Sequence, residues 1–250
     1  MARHATKSRI LHIVWTALAF IGTLLPHTAD AAAIPFFSSY PTLDERLWHV
    51  SNGWVNGEHQ SCEWRQEDVY GEDSNLQMRL SDNGGSVRPY GCAEIQSTAS
   101  TRYGLYEARM RTAAGSGLNT AFFTFTGQPL GGPEHDEIDF EFLGKDPHIV
   151  QINYHTSFGG KHEVIVQLGF DASKEFHIYS FSWQPDKIQW FVDGKKVSET
   201  PAGAHIPKNP GLIIFSLWSG SKMLDPWLSH FTYNGPVTAD VSWVKFTPYK

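Results

Sequence analysis

The stretch Glu134-His135-Asp136-Glu137-Ile138-Asp139-Phe140-Glu141-Phe142-Leu143-Gly144 alternates strictly from Glu137 onward: acid, apolar, acid, apolar, acid, apolar. A period of two is the period of a strand. Glu137, Asp139 and Glu141 therefore share one sheet face, and Ile138, Phe140 and Phe142 share the other. The apolar face is suited to packing on a second sheet. Three adjacent carboxylates on the other face resist ionising together. A strand shaped by stability alone would interleave Thr, Lys or Ser. The plain alternative is a solvated acidic edge that discourages aggregation.

The chemistry that needs such a row is glycosidic bond cleavage, with one carboxylic acid to protonate the leaving oxygen and one carboxylate opposite it. At the rise of a strand the Cα atoms of Glu137 and Glu141 lie roughly 13 Å apart. Side chains leaning together shorten that gap. Retaining chemistry wants carboxyls about 5–5.5 Å apart and inverting chemistry about 6.5–9.5 Å, and the spacing permits either.

The rest of the chain reads as strands. Asn75–Ser81 and Tyr103–Arg111 alternate, and Thr120–Thr126 is an apolar-rich run suited to a central strand. Asn83-Gly84-Gly85, Gln184-Pro185-Asp186 and Asp193-Gly194 are turn signals, the last of them a hairpin signal before Lys195. No stretch keeps a helical period over three turns, and there is no repeat or linker. Many strands with turns between them predict an all-β sandwich or barrel.

The N-terminus is different in kind. Arg3, His4, Lys7 and Arg9 precede an apolar run from Ile10 to Leu25, and Ala29-Asp30-Ala31 and Ala31-Ala32-Ala33 offer small-residue cleavage sites. Residues 1–33 are expected to be a secretory signal peptide and residues 34–250 a single catalytic domain. The apolar run is broken by Thr16, Gly22 and Thr23 and ends at Pro26, short for a membrane anchor. A secreted protein is expected, extracellular or periplasmic in transit, with no membrane partner once the signal is cleaved. With 20 basic and 26 acidic side chains the formal net charge is −6, which argues against nucleic acid and anionic lipid as partners. A neutral polysaccharide suits it, and a monomer is expected.

Asp136-Glu137-Ile138-Asp139-Phe140-Glu141-Phe142-Leu143-Gly144 resembles the active-site strand of glycoside hydrolase family 16. The resemblance continues through Gln151-Ile152-Asn153-Tyr154, Phe181-Ser182-Trp183-Gln184-Pro185 and Trp190-Phe191-Val192-Asp193-Gly194, and covers nearly all of the chain after residue 45. The chain is most similar to the bacterial endo-β-1,3-1,4-glucanases, or lichenases, and within them to secreted endoglycanases that depolymerise the exopolysaccharide succinoglycan. The resemblance implies a β-jelly roll of two curved antiparallel sheets with a substrate cleft on the concave face. It implies retaining endo-hydrolysis, with Glu137 as nucleophile, Glu141 as general acid and then base, and Asp139 orienting Glu137. It puts Asn56, Glu94, Phe123, Asn153, Trp218 and Trp227 among the substrate contacts, together with His135 and His155. From the residues alone Asn56 reads equally well as a left-handed turn residue before Gly57. Core packing competes for Trp218, and Trp227 stands in a loop-like stretch after Asp225-Pro226. The pair Cys62 and Cys92, an even count in an exported chain, suggests one disulfide, and the resemblance pairs the same positions.

The departures from the lichenase pattern fall around the substrate. Gln96 stands where the resemblance leads to Arg, His135 where it leads to Trp, Phe125 where it leads to Tyr, and His155 where it leads to an aromatic residue. These re-cut the site for a different sugar pattern and leave the reaction alone. His135 is shared with xyloglucan-active members, which keeps an endotransglycosylase as the alternative. A sugar-binding lectin on the same kind of sandwich would have no need of the three acids. No cofactor is expected. His135 and His155 lack metal-ligand spacing. Some members hold a structural calcium through an Asp near the C-terminus, but the matching position here is Ser242 and the closest acid is Asp240.

Overall fold

The structure is a computed structural model and describes residues 36–39, 43–126, 135–156, 159 and 162–250. The expected signal peptide, residues 1–33, lies outside the described residues. The strands in chain order are β1 Phe36–Ser39, β2 Trp48–Val50, β3 Cys62–Trp64, β4 Val69–Glu72, β5 Asn75–Leu80 and β6 Tyr90–Ser97. They continue as β7 Gly104–Arg111, β8 Leu118–Phe125, β9 Glu137–Leu143, β10 Ile149–His155 and β11 Val164–Gln167. The last are β12 His177–Trp183, β13 Ile188–Val192, β14 Lys195–Glu199, β15 Leu212–Ser219 and β16 Val237–Pro248. The one α-helix among the described residues, α1, is the single turn Asp225–Leu228.

Two sheets result. One runs β14-β13-β12-β7-β16-β5-β4, with β1 also on β16. The other runs β11-β10-β9-β8-β15-β6-β2, with β3 also on β6. Pairing is antiparallel except for the short β3, which runs parallel to β6. The all-β sandwich expected from the alternation is therefore present. The hairpin signal at Asp193-Gly194 joins β13 to β14 with φ of 48° and 75°, the doubly positive geometry of a type I′ turn.

The core lies between the sheets and is built from the alternate residues that the period selects. On β9 the side chains of Ile138, Phe140 and Phe142 are buried. The Phe140 ring lies parallel to Phe122 of β8, which in turn stacks on Phe215 of β15 at 4.9 Å. Across the interface Phe140 meets the edge of Tyr179 at 5.8 Å and Phe181 at 6.5 Å, both on β12 of the opposite sheet. This aromatic layer fixes which way β9 faces. A slip of one residue would drive Glu137, Asp139 and Glu141 into it.

Candidate active site

The sheet register delivers the site. On β9, Glu137, Asp139 and Glu141 point away from the core. On β10 they are paired directly with His155, Asn153 and Gln151, and on β8 with Phe125, Phe123 and Ala121. One strand further, Ile214 and Ser216 of β15 pair with Phe123 and Ala121, and Gln96 and Glu94 of β6 pair with Ile214 and Ser216. The five strands thus lay one continuous strip of polar and aromatic side chains across the sheet. A pocket in this strip is lined by the three acids, Phe123, Phe125, Glu94, Gln96 and Trp218, with Asn56, His59 and Trp54 from the loop before β3.

Of the expected contacts, Asn56, Glu94, Phe123 and Trp218 line this pocket. The residues of this loop with positive φ are Gly53, at 78°, and Gly57, at 140°, and not Asn56. Asn56 instead accepts the indole N–H of Trp64 at 3.3 Å, and its backbone N–H is held by Gln60. His135, Asn153, His155 and Trp227 are not among the lining residues of this pocket: His135 lies just before β9, Asn153 and His155 on β10, and Trp227 in α1. Trp227 occupies the turn of α1 and not a loop. Pro226 sits where a helix start tolerates the missing N–H. The Trp227 ring centroid lies 6.2 Å from that of Trp218.

The three acids have different surroundings, which is what an acid–nucleophile division requires. Glu137 Oε2 lies 2.7 Å from His135 Nε2. Asp139 is buried, and its carboxyl is held well above the usual range by burial first, then by the charges of Glu137 and Glu141 and a hydrogen bond with Glu137. A protonated Asp139 can donate that hydrogen bond to Glu137. Glu141 is pushed up to about 8, mainly by burial and then by the Glu137 charge. Two amides oppose the rise: Asn119 Nδ2 donates to Oε1 at 3.1 Å and Gln151 Nε2 to Oε2 at 3.0 Å. Near neutral pH Glu141 holds a proton to give.

Three residues that the motif reading passed over complete this arrangement. The Trp227 indole N–H donates to Gln151 Oε1 at 3.0 Å, so the Gln151 amide can present only N–H to Glu141. Asn119 sits at the start of β8. Ser51 donates to Glu94 Oε1 at 2.6 Å. The alternation of Gln151, Asn153 and His155 with apolar residues is a signal that could have placed Gln151. Asn119 and Ser51 depend on cross-strand geometry that no local pattern carries.

Gln96 shows what replacing a guanidinium with an amide does. Its Nε2 donates to Glu94 Oε1 at 2.7 Å but supplies no charge. Glu94 is buried, and burial raises its carboxyl from 4.5 to about 7 against the two hydrogen bonds. The unfolded chain ionises Glu94 first, so folding becomes costlier as pH rises from about 4.5 to about 7. A Glu94→Gln variant is expected to be more stable than the parent at pH 8 by on the order of 3 kcal/mol. The advantage should vanish near pH 4. Denaturant titrations at several pH values would reveal it, and a pH-independent difference would refute it.

Cys62 and Cys92 are joined in a disulfide with Cα atoms 5.7 Å apart, tying β3 to β6. Asp240 accepts a two-pronged bond from Arg111 at 3.0 and 2.8 Å and another from Gln77 at 2.9 Å, so its oxygens serve an internal cation. Among the described residues no group of three or more His, Cys, Asp and Glu side chains is placed to hold a metal ion.

Comparison with known proteins agrees with this geometry. The profile described as Glycosyl hydrolases family 16 matches residues 56–245. The β-glucanase of Paenibacillus macerans is 40% identical over 242 residues, covering 96% of this chain and 99% of that protein. The endo-1,3-1,4-beta-glycanase ExoK of Rhizobium meliloti (strain 1021) is 42% identical over 212 residues, covering 85% of this chain and 78% of that protein. Among solved structures, a prokaryotic β-1,3-1,4-glucanase (lichenase) from a mouse hindgut metagenome superposes with a TM-score of 0.80 at 40% identity, covering 86% of this chain and 99% of that one. The two-sheet sandwich with its row of three acids is therefore a jelly roll of the lichenase kind, and the chain belongs to glycosyl hydrolases family 16.

Proposed function

We propose that the protein is a secreted, monomeric endo-β-1,3-1,4-glycanase that cleaves internal bonds of a succinoglycan-type exopolysaccharide or of mixed-linkage β-glucan with retention of configuration. The observation that carries this reading is the unequal setting of the two acids on β9: Glu141 is held by the amides of Asn119 and Gln151, with burial pushing its carboxyl up to about 8, while Glu137 Oε2 lies against His135. In this scheme Glu137 attacks the anomeric carbon as Glu141 protonates the departing oxygen, and a glycosyl-enzyme forms. Glu141, now a carboxylate, takes a proton from water, which displaces Glu137. Asp139 holds Glu137 throughout. Trp54, Trp218 and Phe123 offer flat apolar faces for pyranose rings. The named activities of the relatives support an endo-β-1,3-1,4-glucanase, and the changes at Gln96, Phe125, His135 and His155 favour the exopolysaccharide.

A transglycosylase is the second reading, favoured by His135. The test is reducing-end release by the mature protein on succinoglycan, cereal mixed-linkage β-glucan and xyloglucan in parallel, with the first-formed anomer followed by NMR. Cleavage of succinoglycan well above the others supports the proposal. Preference for mixed-linkage glucan would make the four changes tolerated variation within a lichenase. Preference for xyloglucan, with product sizes redistributed by added acceptor, would install the transglycosylase. A first-formed inverted anomer would remove the glycosyl-enzyme.

A further inference from the structure

Building on this enzyme reading, we propose that His135 is a positioning residue for Glu137: its Nε2 grips Oε2 of the nucleophile and fixes the rotation of that carboxyl, while the His155 ring stacks against it. Every neighbour of the imidazole contributes to holding it. From β8, Phe125 is paired in register with Glu137, and its ring lies 5.4 Å from the His135 ring. From β10, His155 is paired with Glu137 on the other side, and its ring lies nearly parallel to His135, 13° apart at 5.5 Å. The chain between His135 and Glu137 is anchored by Asp136. The Asp136 carboxylate accepts the backbone N–H groups of Lys208 and Asn209 and the Asn209 amide at 2.7, 2.8 and 3.1 Å, and its backbone carbonyl accepts from Thr126.

Hydrogen bonds also hold the ring that His135 stacks on. Asn153 Oδ1 accepts the backbone N–H of Tyr154 at 2.9 Å, which turns the Asn153 Nδ2 toward His155 Nε2, 2.9 Å away. That nitrogen of His155 is therefore placed to accept from Asn153. The same nitrogen lies 3.7 Å from Asp139 Oδ2. Among the described residues, the charged and titratable groups facing His135 include Glu137 in contact, Asp136 next in the chain, and His155, whose Nε2 in turn approaches Asp139. Phe125 brings no charge. The hydrogen bond to Glu137 raises the His135 imidazole above its ordinary value, against burial, and the Glu137 and Asp136 charges add to the rise. A donor 2.7 Å from Oε2 holds the Glu137 carboxyl in one rotation and favours the charge that a nucleophile carries.

Two variants separate this role from packing. His135→Phe keeps a ring between Phe125 and His155 but removes donor and charge. His135→Gln restores an N–H without the charge. On the polymer that the parent cleaves best, His135→Phe is expected to lose on the order of 10²-fold in kcat with little change in KM. The acid limb of its kcat/KM profile should move to higher pH, and His135→Gln should recover much of the kcat. An unmoved acid limb, a loss confined to KM, or a Gln variant no better than Phe would overturn the proposal. A second measurement needs no turnover: the imidazole NMR titration of His135 in the parent and in Glu137→Gln. A fall on removing the Glu137 charge is expected, and an unchanged titration would overturn the pairing. A parent inactive on all three polymers would sink the enzyme reading instead, leaving this titration to decide the His135–Glu137 contact.

Discussion

Glu137→Gln and Glu141→Gln should each lower turnover by at least about 10³-fold while leaving the protein folded. The two losses should differ in character. Glu141 serves as an acid, so the parent's activity should fall as pH rises through about 8, where its proton is lost. Glu141→Gln removes that alkaline limb together with the rate, because the amide has no proton to give. Glu137→Gln keeps the shape of the site but cannot form the glycosyl-enzyme. Shortening the side chain as Glu137→Gly vacates the attacking face, and azide should then enter from that side to give an inverted glycosyl azide. Normal turnover by either amide variant would remove that residue from the mechanism, and a retained azide product from Glu137→Gly would contradict the role of Glu137. Glu137→Gln should melt near the parent, whereas Glu141→Gln should melt above it at alkaline pH, because burial in the fold holds that carboxyl up to about 8.

Phe140→Ala should cost about 3–5 kcal/mol of stability. The substitution lies between Asp139 and Glu141 in the chain but on the opposite face. Phe140 is fully buried against Phe122, Phe142, Tyr179 and Phe181, so truncation leaves a cavity bounded by both sheets. For a chain of this length the melting temperature should fall on the order of 10 °C. Phe140→Leu fills much of the space and should cost far less. At low temperature the Ala variant should still release reducing ends, because the acids keep their partners on β8 and β10. Thermal melts with activity measured well below the transition would test this. An Ala variant as stable as the parent would mean that the aromatic layer does not hold β9.

The period of two made much of this legible. Alternation along Glu137–Phe142 gave the strand, its core face and its acidic face at once, because side-chain direction in a strand is set by parity alone. Asn75–Leu80 and Gly104–Arg111 followed for the same reason. Trp227 was placed in a loop because one helical turn is too short to show a period. Glu141 could be named from the motif, but its elevated pKa could not, since that depends on burial and on Asn119 and Gln151 reaching it from two other strands. Ser51 was invisible for a similar reason: it meets Glu94 across 43 residues of chain. Strand identity is local information, and strand neighbours are not.

The division of each strand between two faces also bears on how such an enzyme diversifies. On β8, β9 and β10 the residues that would touch polymer and those that fill the core alternate along the backbone, so one can be exchanged without disturbing the packing of the other. Gln96, Phe125, His135 and His155 all belong to the outward set, beside acids whose facing is locked by Phe122, Phe140 and Phe215. A lineage built on this scaffold can explore new glycans in single steps that leave its folding energetics nearly untouched, and can harden its core in steps that leave its diet unchanged.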